Sequence, residues 1–366
     1  MKTVINTAPM PEAGRLIAVS DIHGQLDWLN GLLDKLRFSE NDTLVIVGDI
    51  VEKGPNSLAT LRRVMALCAE GRAMAVLGNM EAGVLSVFSD DSTDERLAEY
   101  GLVRKNDWGA SLVDDMAKEA GLSLESDAAG LLPRLRDRFS AELGFLKTLP
   151  TILLIQRYLF VHGGVPTDDL DALGDVDAAV CLKCDEFLAH APAFSRWVIV
   201  GHWPVTLYHA DYDESSPLID RARRIASIDG GCVLKRYGQL NGLVLPKDYT
   251  DDFTWEFYDD FPERVALDAQ AASADPVNVR WGRSDVTVLC EAGDSCDVLH
   301  HLSGRVLSVP RDELYRHGDR VDVGEYTDYW HGVTPGETVR LAARYERGAL
   351  VKKGGLCGWY AGRFKE

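Results

Sequence analysis

RLIAVSDIHG, at residues 15–24, is an apolar run that ends abruptly in an aspartate and a histidine with a glycine beside them. A short run rich in Ile, Leu and Val is typical of a buried β-strand. The same pattern returns in TLVIVGD, AMAVLGN, RYLFVHGG, WVIVGHW and IASIDGG. Between the early runs, LDWLNGLLDKLRF and NSLATLRRVMALCAE have apolar residues at helical spacing. Strands that alternate with helices predict an α/β core.

Polar side chains collect where these predicted strands end, and open α/β sheets usually place their sites there. The side chains are two carboxylates, one amide and three imidazoles, all of which bind metal ions. Singly they have structural explanations: Asp49 could cap a helix, and His162 could be a satisfied core histidine. Together they predict a metal site. The six residues are Asp21, His23, Asp49, Asn79, His162 and His202.

Composition narrows the class of protein. The 366 residues are 46% hydrophobic and 26% charged, as in globular proteins of more than one domain. The formal net charge of −18 argues against an extended nucleic-acid surface, which needs a basic stripe. A small phosphate ester held by metal ions remains compatible with it. No run approaches the ~18–20 apolar residues of a membrane span. Because the N-terminus also lacks an apolar signal core, we expect a cytoplasmic protein.

Changes in pattern along the chain predict its domains. Residues 1–14 are an N-terminal extension, and residues 15–250 form the α/β domain. Within it, residues 88–147 form a helical insertion over the site. Residues 251–270 are a linker, and residues 271–366 form a small β-rich domain, since short alternating runs and turn signals predict a bent sheet or barrel.

Six blocks occur in the order DIHG, GDIVEKG, GNME, HGG, GHWPV and IDGGC…GQLNGLVL. They resemble the calcineurin-like metallophosphoesterases, in particular the branch of serine/threonine phosphoprotein phosphatases and symmetrical diadenosine tetraphosphatases. The resemblance covers roughly residues 15–246. It implies a two-sheet β-sandwich flanked by helices, with two divalent metal ions between strand ends.

The resemblance also implies metal-binding roles. Asp21 and His23 would bind the first ion, and Asp49 would bridge both. The amide and the two later histidines would bind the second ion. Manganese, iron or zinc would suit these ligands. Such a pair of ions, ~3.5–4 Å apart, activates a bridging hydroxide and holds the phosphoryl oxygens.

The chain departs from the family pattern at the residues that handle the proton. The family has Gly-Asn-His-Glu or Gly-Asn-His-Asp, and its histidine is the general acid. Met80, a thioether without an acidic proton, stands in its place here. In the family an aspartate orients this histidine, and here Glu52 stands in the place of that aspartate. Glu81, Glu52 and His209 remain alternative proton sources, and the catalytic candidates are Asp49, Lys53 and Glu81.

The phosphate contacts depart from the pattern as well. Lys53 replaces an arginine, so a point charge stands where the family has a bidentate fork. Cys184 occupies the position of a second arginine, with Lys183 beside it and Arg196 further along as a possible substitute. The candidate substrate-binding residues are Lys53, Asn79, Lys183 and Arg196.

These departures leave two hypotheses for function. Loss of a general acid costs ~10²–10⁴ in rate, and the loss matters least for good leaving groups. The first hypothesis is therefore a metal-dependent phosphoesterase for phosphate monoesters or anhydrides, with a phosphoprotein, an aryl phosphate or a nucleotide as substrate. The alternative is a metal-binding pseudophosphatase that acts as a scaffold or regulator.

The C-terminal aromatics resemble those of a small β-barrel of the Src-homology-3 type. Such a barrel could bind an extended, proline-rich peptide in an aromatic groove. Alternatively, these side chains form the core of the small domain, or the domain covers the active site. The residues are Tyr326, Tyr329, Trp330, Trp359 and Tyr360.

Overall fold

The computed structural model describes residues 2–126, 129–248 and 250–365. Among them, no helix combines the length and the apolar character that a bilayer crossing requires. The chain divides into two compact units. The first comprises Met1–Pro204, Pro217–Leu234 and Gly238–Tyr258, and the second comprises Val205–Ser216, Lys235–Tyr237 and Asp259–Glu366. The terminal residues 1 and 366, which belong to the predicted extension and small domain, lie outside the described residues.

Helices and strands are numbered separately, each in chain order. The helices are α1 (Leu26–Lys35), α2 (Ser57–Ala69), α3 (Asn79–Val87), α4 (Asp94–Trp108), α5 (Leu112–Glu119), α6 (Leu131–Arg138), α7 (Ser140–Thr148), α8 (Leu170–Gly174), α9 (Ala178–Leu182) and α10 (Phe187–His190). The strands are β1 (Ile5–Ala8), β2 (Leu16–Val19), β3 (Thr43–Val47), β4 (Ala73–Val76), β5 (Ile152–Ile155), β6 (Tyr158–Val161), β7 (Trp197–Val200), β8 (Asp213–Glu214), β9 (Leu218–Asp220), β10 (Ile225–Ser227), β11 (Leu240–Leu245), β12 (Thr254–Tyr258), β13 (Glu263–Val265), β14 (Asn278–Val279), β15 (Val286–Ala292), β16 (Ser295–His300), β17 (Val306–Pro310), β18 (Leu314–His317), β19 (Arg320–Val323), β20 (Tyr326–Thr327), β21 (Thr338–Tyr345), β22 (Gly348–Lys353) and β23 (Leu356–Tyr360).

The first unit contains two sheets. One sheet has the strand order β12-β11-β2-β3-β4, and the other has the order β1-β5-β6-β7-β10-β9. Strands β2, β3 and β4 are parallel, and so are β6, β7 and β10. Because parallel strands end at the same edge, the polar residues after them are brought to one edge of each sheet.

The core between the sheets follows from the two-residue period of a strand. Leu16 and Ala18 of β2 belong to a buried apolar cluster together with Phe160 and Ile199 of the other sheet. Their neighbour Ile17 belongs instead to the cluster that the helices form. The mixed α/β fold predicted from the sequence is therefore confirmed, as a pair of sheets with helices packed against them.

Two predicted segments contain regular structure. Helices α4, α5, α6 and α7 fall within or at the end of the predicted insertion, residues 88–147. The sequence predicts a linker over residues 251–270, but the structure has strands β12 and β13 there. Strand β12 pairs with the edge of β11, and Tyr258 packs edge-to-face on Trp28 with ring centroids 6.4 Å apart. The backbone hydrogen bonds of a sheet edge thus hold a segment whose composition resembles a loop.

The second unit is rich in strands. Its largest sheet has the order β13-β21-β22-β23-β8, and β15-β16-β17 form another. Of the predicted groove aromatics, Tyr326, Trp359 and Tyr360 are buried, whereas Tyr329 and Trp330 are partly exposed. Three of the five therefore serve as core. The likeness to a Src-homology-3 barrel stays a prediction.

Candidate metal centre

Both sheets of the first unit contribute to one cluster of polar side chains. Each of these residues stands in a loop, or at the start of a helix, just after a strand. The sheet that contains β2 supplies Asp21, His23, Asp49 and Asn79, and the sheet that contains β6 supplies His162 and His202.

The centre of the cluster is a compact set of buried donors. One ligand atom from each of Asp21, Asp49 and His162 lies within 4.8 Å of the other two. Nε2 of His23 lies 3.8 Å from Oδ1 of Asp21 and 3.8 Å from Oδ2 of Asp49. All four side chains are almost completely buried. The structure thus brings two carboxylates and two imidazoles together away from bulk water.

Asn79 and His162 complete this arrangement. Nδ1 of His162 is 2.9 Å from the carbonyl oxygen of Val47, to which it donates. Nε2 of the same ring is 2.9 Å from Oδ1 of Asn79 and 3.3 Å from Oδ1 of Asp49. If Nδ1 carries the proton, Nε2 and both oxygens are acceptors. Three acceptors this close require a proton or a cation between them.

Two further atoms fit a cation. Oδ1 of Asp21 and Nε2 of His23 are buried and have no hydrogen-bond partner among the described residues. Buried polar atoms without partners are rare and call for an explanation. A divalent ion would satisfy both, and carboxylate oxygens with imidazole nitrogens are ligands for manganese, iron and zinc. The residues present therefore fit the metal that the sequence predicts.

The pKa values of the cluster follow from burial and from opposite charges at short range. Burial raises the pKa of Asp21 to about 6 and lowers that of His23 to about 3. For His162, burial lowers the pKa, but attraction to Asp49 and Asp21 outweighs it and raises the pKa to about 10. The excess of negative charge thus favours a positive charge at Nε2 of His162, which a bound cation would supply.

The backbone at the cluster is strained. Four of the six candidate ligands have left-handed φ values, namely 54° at Asp21, 48° at His23, 51° at Asp49 and 67° at His202. Such conformations cost of order 1–3 kcal/mol each in a residue other than glycine, and they concentrate at functional sites. The strain turns successive side chains of each loop toward one point, which indicates a binding function for the loops.

Close packing of the loops requires glycine at two positions. Gly48 has φ 80°, and a Cβ there would come within 2.6 Å of Nδ1 of His162. A Cβ at Gly201 would collide with Oδ2 of Asp21. These glycines let loops of the two sheets approach each other.

Glu81 makes structural hydrogen bonds that the sequence does not predict. Its Oε2 accepts hydrogen bonds from the amides of Asp49 and Gly78, each at 2.9 Å. Its Oε1 accepts from the amides of Ile50 at 2.8 Å and Val51 at 3.2 Å. Four donors thus occupy both oxygens of a fully buried side chain. Glu81 holds the loop that carries Asp49, and this geometry does not support a proton-donor role.

Met80 takes part in the cluster through its backbone alone. Its amide donates to Oδ1 of Asp49 at 2.9 Å. Its side chain is 7% exposed and belongs to an apolar cluster with Leu97 and Leu112 of the helical insertion. The position that holds an acid in the family is therefore filled by a buried apolar side chain.

Glu52 and Lys53 point to the helical insertion. Oε1 of Glu52, fully buried, accepts the amide of Leu112 at 3.2 Å, and burial raises the pKa of Glu52 to about 7. The ammonium of Lys53 lies 5.3 Å from the ring centroid of Trp108. Trp108, the last residue of α4, is 39% exposed. Trp108 is absent from the sequence predictions, because only the fold brings the end of α4 to Lys53.

Of the remaining candidates in the first unit, Arg196 lies apart from the cluster and Lys183 lies at its edge. Arg196 precedes β7 whereas His202 follows it, and the guanidinium donates to the carbonyl of Asp168 at 2.7 Å. The structure therefore does not bring Arg196 to the cluster. Lys183 is exposed, on a loop anchored near His162. The remaining proton-source candidate, the histidine at position 209, belongs to the second compact unit.

Two acidic residues at the cluster are absent from the sequence predictions. Oδ1 of Asp185 is 2.8 Å from Nε2 of His202. Asp229, which follows β10, is fully buried, and burial raises its pKa well above the usual range. Its place at the end of a strand was a usable signal, since IDGG repeats the pattern of the ligand loops. For Asp185 the sequence offers no comparable signal.

Comparison with known proteins agrees with the geometry. Residues 14–230 match the pattern of the calcineurin-like phosphoesterase family. The chain belongs to this family, and the match supports its classification as a metallophosphoesterase, an enzyme of the phosphatase class. The predicted family is therefore confirmed, and the family's use of divalent metals agrees with the buried donors.

Two relatives are symmetrical bis(5'-nucleosyl)-tetraphosphatases. The protein of Janthinobacterium sp. is 35% identical in an alignment 230 positions long, which covers 51% of this chain and 81% of that protein. The protein of Ralstonia nicotianae is 49% identical over 70 residues, 19% of this chain and 24% of that protein. The chain thus spans most of one relative and about a quarter of the other.

Two solved structures show a partial likeness to this chain at low identity. A protein serine/threonine phosphatase from Saccharomyces cerevisiae has a TM-score of 0.44 and 13% identity, covering 71% of this chain and 85% of that chain. A cold-active protein-tyrosine phosphatase from Shewanella sp. has a TM-score of 0.39 and 17% identity, covering 69% and 83% respectively.

Proposed function

We propose that the protein hydrolyses phosphate monoesters or anhydrides with good leaving groups, in a reaction that depends on two divalent metal ions. The observation that supports this proposal most directly is the convergence of Asp21, Asp49 and His162, whose ligand atoms lie within 4.8 Å of one another. A buried set of two carboxylates and an imidazole is costly without a cation, because like charges lose their hydration.

The candidate ligands divide by position. Asp21 and His23 would hold one ion, and Asp49 would contact both ions. The other ion would be held by the side-chain amide of Asn79 and by His162 and His202. When bound, two ions of manganese, iron or zinc would supply positive charge for the phosphoryl oxygens and lower the pKa of a water between them.

The chain's own residues set the leaving-group preference. Met80 has no proton to donate, and the amides on Glu81 occupy both of its oxygens. Unless Glu52 or His209 supplies the proton, the departing group leaves as an anion or takes its proton from water. An aryl oxide or a phosphate does so readily, whereas the alkoxide of phosphoserine does not. Lys53, four residues after Asp49, is the candidate for orienting the phosphate.

Trp108 supports a nucleotide or aryl phosphate as the substrate. Its partly exposed ring stands beside Lys53, so an aromatic surface adjoins the candidate phosphate contact. Stacking on an aromatic side chain is worth ~1–3 kcal/mol per base and tolerates any base. The relatives named as tetraphosphatases of bis(5'-nucleosyl) compounds favour the nucleotide over the phosphoprotein.

The test is phosphate release from p-nitrophenyl phosphate in the presence of Mn²⁺. We expect turnover that EDTA abolishes and that Asp49→Asn reduces by at least ~10², since a ligand of both ions is lost. Asp90→Asn, which changes a fully exposed carboxylate, is the matched control and should keep full activity. We also expect slower cleavage of phosphoserine peptides than of p-nitrophenyl phosphate or dinucleoside polyphosphates.

The pseudophosphatase remains the second candidate, because Met80 is buried and Cys184 stands where the family has an arginine. Two bound metal equivalents with no turnover of aryl phosphates or anhydrides would establish it. Equal rates for phosphoserine and aryl substrates would contradict the leaving-group argument.

Two further proposals are independent of this chemistry. A peptide groove in the second unit would use Tyr329 and Trp330, the two partly exposed members of the aromatic set. Titration with proline-rich peptides, followed by tryptophan fluorescence, tests it. A cytoplasmic location remains a prediction from composition, which fractionation of cells tests.

A further inference from the structure

The loop after α9 brings a carboxylate to one of the candidate metal ligands. Oδ1 of Asp185 lies 2.8 Å from Nε2 of His202, a distance that requires a hydrogen on the nitrogen. The family pattern places a positively charged arginine at the neighbouring position, Cys184. A negative group in this place would repel a phosphate unless it were engaged elsewhere.

We propose that Asp185 is a positioning residue that fixes the tautomer of His202, so that Nδ1 is the nitrogen that binds metal. This inference rests on the proposed metal-dependent function. A neutral imidazole carries one hydrogen, so donation from Nε2 to the carboxylate leaves the lone pair on Nδ1. Pairing with a carboxylate also makes the imidazole a more basic ligand.

The neighbouring histidine shows the opposite arrangement. Nδ1 of His162 donates to the carbonyl of Val47, which leaves Nε2 directed toward Asn79 and Asp49. Two histidines of one site would thus bind through different ring nitrogens, each fixed by a partner on the far side of the ring. Because the partner sets the tautomer, removing it should weaken binding even where the ligand itself remains.

The geometry around His202 is consistent with this role. Its amide donates to Oδ2 of Asp21 at 3.0 Å, and its ring centroid lies 5.2 Å from that of His162. The loop that carries Asp185 is held in place, since the amides of Gly163 and Gly164 donate to the carbonyl of Cys181 at 2.8 and 3.2 Å. The carboxylate is therefore presented from a fixed backbone.

The first test reads the tautomer directly in the metal-free protein. Histidine labelled with ¹⁵N, observed by long-range ¹H–¹⁵N correlation at pH 8, distinguishes the two neutral forms, and His202→Gln assigns the signal. We expect the Nε2–H form in the wild type and an averaged signal in Asp185→Ala. Asp185→Asn should retain the Nε2–H form, because its amide oxygen still accepts. An Nδ1–H form in the wild type would overturn the proposal.

The second test measures Mn²⁺ and Zn²⁺ binding by calorimetry. We expect Asp185→Ala to weaken one of two metal equivalents by ~10–100-fold and Asp185→Asn to weaken it less. Asp171→Ala, an exposed carboxylate on α8, should bind as the wild type does. Unchanged binding by Asp185→Ala would overturn the proposal.

The outcomes also distinguish a failure of the positioning role of Asp185 from a failure of the proposed metal-dependent function. Loss of a whole equivalent in both Asp185→Asn and Asp185→Ala would make the carboxylate a metal ligand itself, which overturns the positioning role. A protein that binds no metal at all would refute the proposed function, whereas the tautomer in the metal-free state would still be measured. The two failures are thus distinguishable.

Discussion

At the scale of single residues, the backbone and the side chain of position 80 have separate roles. The amide of Met80 holds Asp49, while the side chain is buried among apolar residues. Glu81 next to it gathers four amides of the neighbouring loops. Chemistry at position 80 can therefore change while the arrangement of the candidate ligands persists.

This separation predicts a mild effect of Met80→Leu. The volume is nearly conserved and no proton is involved, so the loss of stability should be below ~1.5 kcal/mol with little change in kcat. Urea unfolding and p-nitrophenyl phosphate hydrolysis measure the two quantities. Met116→Leu, at a fully buried position of the same cluster, is the matched control. A large fall in kcat with unchanged stability would mean that the thioether acts on the substrate.

Trp108 leads to a prediction about substrate recognition. Trp108→Ala should raise KM for dinucleoside polyphosphates by about 5–150-fold, the equivalent of ~1–3 kcal/mol of stacking, and leave KM for inorganic tripolyphosphate unchanged. Steady-state kinetics with both substrates measure the difference. Trp255→Ala removes a similarly exposed ring from β12 and should change neither value. A parallel rise for both substrates would argue against stacking.

At the scale of elements, two reciprocal hydrogen bonds join the helical insertion to the core of the first unit. Glu52, after β3, accepts the amide of Leu112 at the start of α5. Asp115 of α5 accepts the amide of Leu58 in the first turn of α2 at 3.2 Å. Each carboxylate satisfies an otherwise unpaired amide at a helix start, where negative charge is favourable.

Glu52 makes the stability of the metal-free protein depend on pH. Its pKa rises from 4.5 to about 7, chiefly because of burial, with Asp115 and Glu81 raising and Arg104 lowering it. Tyr100 also faces this group. The folded state then holds the proton more tightly than the unfolded state, so this stabilisation is complete below pH 4.5 and is lost as pH rises through about 7.

Glu52→Gln should remove this dependence while keeping an acceptor for the amide of Leu112. Relative to the wild type, the variant should gain up to about 3 kcal/mol between pH 4.5 and pH 8. Urea unfolding in EDTA at several pH values measures it, and Glu40→Gln, at an exposed glutamate, is the control. A constant difference across this range would contradict the prediction.

The strands and the polar residues that follow them can be predicted from the sequence, because a buried strand in an α/β core is a continuous apolar run and its end is marked by a polar residue. The sequence does not predict contacts between residues that are far apart along the chain. Three sets of contacts join residues from separate elements. They are the four amides that donate to Glu81, the contact of Trp108 with Lys53, and the contact of Asp185 with His202. Arg196 shows the converse error, since it is near His202 in sequence but precedes the strand that His202 follows.

At the scale of the whole molecule, the net charge of −18 and the buried donors both favour divalent cations. An ion that binds only the folded state at 100 times its Kd stabilises it by ~2.7 kcal/mol. For a protein of 366 residues we expect Mn²⁺ to raise Tm by about 3–4 °C. Asp49→Asn should lose most of that shift, as differential scanning calorimetry would show. An equal shift in the variant would place the bound ion elsewhere.

The left-handed backbone at four candidate ligands has a consequence for redesign. The surrounding packing already holds the backbone of these residues in the left-handed conformation. A substituted side chain at such a position should therefore point in the same direction, provided that the new residue tolerates a left-handed φ. Asparagine and aspartate tolerate it far better than branched residues do. Exchanging Asp21 for asparagine should therefore retune ion preference with little loss of shape, so the scaffold is a convenient starting point for making hydrolases that use other metals.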